Sequence, residues 1–215
     1  WRVSSKFERL SVDGKSVPGF DAQIDIPAVA DDYRVAATID RLPLSSLPVI
    51  AGQWLPAGVR SQILQGSLQG LLQDVIFEID LDDAENFRLG AGITDLSNEA
   101  FGRFPGINKL DADLVLGHNR LAAALTGDAL TLDFGDSFRA PLQADSLRME
   151  VLLNRLPTGN LLVVADDIEL RNQDLRAVGR LLLETDGEQA PFMFLRAAFD
   201  DVRVASTGKY LPIKL

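Results

Sequence analysis

Apolar and polar residues alternate one by one along most of this chain. Successive side chains of a strand point to opposite faces, whereas a helix repeats every 3.6 residues, so this period calls for strands. Leu110, Ala112, Leu114 and Leu116 alternate against Lys109, Asp111 and Asp113. Leu121, Ala123 and Leu125 follow, then Leu130, Leu132 and Phe134, then Leu147, Met149, Val151 and Leu153. Further apolar runs occupy residues 161–165, 168–170, 178–183, 192–199 and 202–204. Turn-forming residues separate them at Gly117-His118-Asn119, Gly127-Asp128, Gly135-Asp136, Pro157-Thr158-Gly159 and Asp186-Gly187. The expected fold is mainly β. It is a curved antiparallel sheet, arranged as an open groove or a flattened sandwich, with one or two short helices packed on it.

The rhythm breaks between Leu44 and Gln73. Ser45 and Ser46 are helix-capping residues, and Pro48 suits a first turn. Leu47, Ile50 and Trp54 then share one helical face, and Pro56 ends that helix. Val59, Ile63 and Leu64 predict a second short helix ending near Gln65, because Gly66 and Gly70 each cost a helix about 1 kcal/mol relative to alanine. A strand then runs from about Ser67 to Leu81, with Val75, Phe77, Ile79 and Leu81 alternating against Asp74, Glu78 and Asp80. The helices carry almost no Lys or Arg, so they read as plugs on the sheet and not as membrane-surface helices. The whole of 1–215 is expected to be one β-rich segment: 1–41 ends one sheet unit, 44–65 is a helical insert, and 67–215 forms a second unit.

A faint internal repeat supports successive sheet units. Phe7, Leu10, Ser11 and Val17-Pro18-Gly19-Phe20 precede a strand with Ile24 and Ile26. Ile93, Leu96, Ser97 and Phe104-Pro105-Gly106-Ile107 precede one with Leu110, Ala112 and Leu114. A second echo pairs residues 37–40 and Trp54-Leu55-Pro56 with residues 198–201 and Tyr210-Leu211-Pro212. No apolar run approaches the ~20 residues that cross a bilayer as a helix. The chain begins at Trp1 and stops within an apolar stretch, which reads as a piece of a longer protein.

Composition removes several kinds of chemistry. The 215 residues include 31 acidic and 21 basic side chains, a net charge of −10, which argues against a nucleic-acid partner. There is no cysteine and one histidine, so thiol catalysis, disulfides and multi-histidine metal sites are excluded. His118 sits in a hairpin-tip sequence, with no Gly-x-Ser-x-Gly elbow to use it. Asp111 and Asp113 share the polar face of their strand. The pairs Asp31-Asp32, Asp82-Asp83, Asp166-Asp167 and Asp200-Asp201 lack the calcium-loop pattern and read as acidic turn residues. Gly90-Ala91-Gly92 has Asp95 where a dinucleotide fingerprint needs glycine. No metal site or cofactor is expected; a glycosidase-type carboxylate pair stays open, since any two acids can meet in space, but nothing singles out a pair. What remains is apolar surface: either a closed core or an open face able to hold acyl chains.

Particular residues carry a family resemblance. They are Trp1-Arg2-Val3-Ser4 with Leu10 and Val17-Pro18-Gly19; Leu42-Pro43-Leu44 through Trp54-Leu55-Pro56 to Gly66-Ser67-Leu68; Phe104-Pro105-Gly106-Ile107 with Leu110-Asp111-Ala112-Asp113-Leu114; and Lys209-Tyr210-Leu211-Pro212. Together they resemble the AsmA-like proteins of Gram-negative bacteria, in the YhdP branch, over essentially the whole chain. The resemblance implies a periplasmic piece of a long protein anchored in the inner membrane outside this segment. Its curved sheets would form a hydrophobic groove conducting glycerophospholipids to the outer membrane, without catalysis. Its partners would be phospholipid acyl chains and neighbouring β-units of the same parent chain. The competing reading is a structural β-module of the envelope without lipid cargo. The residues expected to line a groove are Leu114, Leu116, Leu121, Leu130, Leu132, Met149, Val151 and Val163.

Overall fold

The computed structural model describes residues 1–12, 14–26, 34–50, 67–100, 105–185 and 192–210. Eleven strands form one antiparallel sheet in which sequence order is spatial order. They are β1 (Arg2–Val12), β2 (Lys15–Asp25), β3 (Arg34–Pro43), β4 (Gln69–Asp80), β5 (Phe87–Asn98) and β6 (Gly106–Gly117). β7 (Arg120–Asp133), β8 (Leu142–Arg155), β9 (Leu161–Arg171), β10 (Arg176–Thr185) and β11 (Phe192–Asp200) complete it. The sheet is curved and unclosed, with β1 and β11 at its two edges. No second sheet faces it among the described residues, so the open alternative holds over the flattened sandwich. β3 pairs with β4 along Arg34 to Pro43, so the sheet continues past the helical insert.

The two edges of the strands differ. Short turns join β4 to β5, β6 to β7 and β8 to β9 at one end. The opposite end carries the helical turns: 3₁₀ turns at Leu44–Ser46, Gly135–Ser137 and Val204–Lys209, and the single helical turn α1 (Leu47–Ile50). Leu44, Leu47 and Val49 pack with Leu42, Leu72 and Phe20 on the sheet, which is the plugging role expected of the insert. Trp54, on the face of the first predicted helix, and the second predicted helix, with Val59, Ile63 and Leu64, lie outside the described residues. So do Asp31-Asp32, Phe104, Asp186-Gly187 and Leu211-Pro212.

Several sequence expectations are corrected. The runs around Leu121 and Leu130 belong to one strand, β7, because Gly127-Asp128 lies in the β7 ladder and Ala129 beside it is left-handed (φ 52°). Likewise Asp166-Asp167 is no turn. It lies within β9, where Asp167 has φ 48° and the register to β8 shifts between Arg148 and Glu150. Residues 202–204 are not a strand: the chain bends at Asp201 (φ 55°) and enters the 3₁₀ turn. Pro18-Gly19 does not precede a strand but lies inside β2, with Pro18 opposite Arg9. Gly90-Ala91-Gly92 is the middle of β5, a strand its glycines conceal.

Left-handed residues recur at register shifts: Asp74 in β4, Asp95 in β5, Lys109 in β6 and Asp167 in β9. Such bulges bend a strand and increase its twist. Aspartate tolerates this conformation better than most residues. The exposed backbone is also served locally, since Asp111 Oδ1 accepts the Asp95 N–H at 2.9 Å and Asn108 Oδ1 accepts the Thr131 N–H at 2.5 Å.

Candidate functional site

Cross-strand partners share a face, so the register determines what each face presents. One row can be followed through all eleven strands. It begins Val3, Ile24, Ala37, Phe77 and Leu89. It continues Leu116, Leu121, Leu153, Val163, Leu183 and Met193. Every member is apolar. With strands about 4.8 Å apart, its ten steps span about 48 Å. A second row runs beside it from Ala91 through Leu114, Ala123, Val151, Ala165 and Leu181 to Leu195, and is also wholly apolar.

This inner face is sealed at one end of the strands and open at the other. Near the helical turns, Leu110, Leu130, Ala144 and Leu147 are buried together, with Ile107, Leu132 and Met149 against them. The left-handed bulges at Lys109 and Ala129 make this possible, because each resets the alternation and returns the next apolar residues to the inner face. Toward the short turns, Leu116, Leu121, Leu153, Val163 and Leu183 are only half-buried. The accessible surface of the chain is 14613 Å², against roughly 10,000 Å² for a compact protein of 23.4 kDa.

Six of the expected lining residues, Leu114, Leu116, Leu121, Met149, Val151 and Val163, stand half-buried on the inner face. Leu132 is half-buried beside them. Leu130 differs: at 1% exposure it forms part of the packed floor and presents no surface. The sequence reading omitted the N-terminal half of the row, Val3 to Leu89. The alternation at residues 35–39 and 75–79 signals those strands, but only the register joins them to the rest.

The charged residues of the strands lie mostly on the opposite, outer face. Asp111 and Asp113 are exposed there, and Asp166 pairs with Arg180 at 2.7 Å. His118 stands in the β6–β7 turn, 3.6 Å from Glu85. The one buried acid among the described residues is Asp174, in the β9–β10 turn. It accepts from Ser206 Oγ at 2.8 Å and Tyr210 OH at 3.1 Å, while Tyr210 OH accepts from Asn172 Nδ2 at 2.9 Å. These bonds fasten the C-terminal 3₁₀ turn to the sheet, beside a cleft of about 540 Å³ lined by Arg139, Gln143 and Ala205. Among the described residues, no three His, Cys, Asp or Glu side chains gather as a metal site.

An unclosed meander with a continuous apolar row on its inner face and its charged residues on the outer one defines a class of β protein that displays an apolar track instead of burying it under a second sheet. Comparison at the level of families makes this specific. The family model described as YhdP protein matches residues 1–215, and the chain belongs to the YhdP family. No curated protein and no solved structure matches it. Among the described residues, no helix is long and apolar enough to cross a membrane.

Proposed function

We propose that this chain is a periplasmic segment of an inner-membrane-anchored protein and carries glycerophospholipid acyl chains along its inner face toward the outer membrane. It does so without catalysis. The observation that carries the reading is the unbroken apolar row across eleven strands, half-buried from β3 to β10, exposed at both ends, and uncovered along one side. An acyl chain gains about 0.8 kcal/mol for each buried CH₂. A row of similar Leu, Val, Met and Ala side chains offers that gain repeatedly with no deep stopping point. The headgroup stays in water at the open side. Neighbouring β-units of the parent chain extend the track at the sheet edges, and membrane contact belongs to parts outside this segment.

The test is native mass spectrometry with lipid extraction on the chain purified from bacteria. Phospholipid is expected to accompany it. Leu121→Asp with Val151→Asp is expected to remove the lipid while circular dichroism stays unchanged, and Asp128→Asn on an exposed position is expected to keep it. A folded, lipid-free wild-type chain, or lipid retained by the double variant, turns the assignment to an envelope scaffold.

A further inference from the structure

The outer face carries an apolar row that the inner-face reading does not use. Val115 in β6, Ala122 in β7, Leu152 in β8 and Val164 in β9 are cross-strand neighbours in that order. The row extends through Gly90 to Ile76 on one side, and through Leu182 to Phe194 on the other. Ile76, Val115 and Phe194 are 48%, 40% and 53% exposed. In β1 to β3 the same row is polar, with Ser4, Gln23 and Thr38. Isolated exposed apolar residues need no explanation, but a row that becomes apolar in β4 and stays so to the last strand does.

Over β5 to β8 charge divides across this row; beyond them, on the arginine side, exposed Glu78 of β4 stands opposite Arg88. On one side stand Asp113 and Glu150, separated in register by Ala124. On the other stand Arg88 and Arg120, both opposite Gly117, which has no side chain to fill the space between them. All four are exposed, and none forms an ion pair with a described residue.

We propose that the outer face over β6 to β9 docks one amphipathic helix of a partner protein, about three turns long, basic on one flank and acidic on the other. The apolar seam of a helix repeats about every 5.4 Å and the strands about every 4.8 Å, so each turn meets roughly one strand. Sheet twist of about 20–25° per strand limits a straight helix to three or four strands. The basic flank faces Asp113 and Glu150, and the acidic flank faces Arg88 and Arg120. An added strand does not fit, because the row crosses strands whose backbones are already paired on both sides. A second copy and an anionic bilayer are both opposed by the net charge of −10.

The experiment uses the whole 215-residue chain and a fluorescent synthetic helix with a leucine seam, lysines on one flank and glutamates on the other. The control peptide has glutamates on both flanks. Anisotropy is expected to show saturable binding of the split peptide and at least tenfold weaker binding of the control. Ala122→Glu is expected to abolish binding, and Leu121→Asp on the inner face to leave it unchanged. Arg88→Glu with Arg120→Glu, both at exposed positions, is expected to weaken binding at least threefold with the fold intact. Absence of saturable binding, equal binding of the two peptides, or equal loss from Leu121→Asp overturns the proposal. So does Ala122-dependent self-association in sedimentation, or Ala122-dependent binding to phosphatidylethanolamine–phosphatidylglycerol vesicles. These would assign the face to a second copy or to lipid.

Discussion

Gly19 and Gly90 both stand within strands, yet they hold their places for different reasons. A Cβ at Gly19 would lie 2.6 Å from the carbonyl oxygen of Phe7 and 2.7 Å from that of Glu8. Both are backbone atoms of β1 and cannot swing aside. The close approach brings Phe7 and Phe20 into a stack with ring centroids 4.8 Å apart. A Cβ at Gly90 meets nothing within 4 Å. Gly19→Ala is therefore expected to destabilise the chain by about 1–3 kcal/mol, the usual range for overpacking. Gly90→Ala is expected to be neutral or stabilising by up to about 1 kcal/mol through the unfolded chain. Urea denaturation of the two variants checks the contrast, and equal effects would remove the close-approach argument.

Among the elements, the junction of β2 with β3 is the weakest ladder. Its paired residues are only Ala22 to Asp25 against Ala36 to Ile39, while β1 and β2 pair along nearly their full lengths. Beyond that short ladder, the Asp40 carboxylate takes over by accepting the Asp21 N–H at 2.7 Å. That N–H holds the Asp40 carboxyl below the usual carboxylate range, against the opposing effect of burial and with help from Arg41. A carboxyl whose value is depressed by folding stabilises the fold fully above its unfolded value, near 3.9, and loses that contribution as pH falls through the folded value. Hydrogen exchange in β1 and β2 is expected to rise at acid pH before exchange in β6 to β8 does. Asp40→Asn is expected to raise it at neutral pH and flatten the dependence. β3, where Ala36 and Ala37 blur the alternation, was not read as a strand, and only the end of β2 around Ile24 was, while the inner-face residues of β6 to β8 were legible from alternation alone. The bulges were not, because a left-handed Ala129 or Asp167 leaves no mark in hydropathy and looks like a turn. β5 was hidden by Gly90 and Gly92, and the joining of separate alternations into one track depends on register, which no single strand encodes.

At the scale of the molecule, the two sheet edges are unequal. β1 alternates charged or polar residues such as Arg2, Ser4 and Lys6 on its outer face with Val3 and Phe7 on its inner one. β11 is apolar on both faces, with Phe192, Met193, Phe194, Leu195 and Phe199 all more than half exposed. A strand with a continuous apolar run is suited to burial on both sides, and its free backbone edge is a template for pairing. The two-sided pattern already begins in β9 and β10, where residues 161–165 and 181–183 are uninterrupted apolar runs. The open track and the open edge thus lie on the same strands, and covering β11 would lengthen the track without altering its lining. The chain studied alone is expected to self-associate through β11 as concentration rises, despite its net charge. A lysine on an edge strand opposes such pairing at little cost to the sheet, because it leaves the existing β10–β11 ladder intact. Met193→Lys with Leu195→Lys is therefore expected to keep the chain monomeric in sedimentation velocity, with unchanged circular dichroism. Val3→Lys on the opposite edge is expected to leave association as in the wild type. If the Val3 variant dissociates the assembly and the β11 variant does not, β1 is the adhesive edge, and the sheet is extended from its N-terminal side instead.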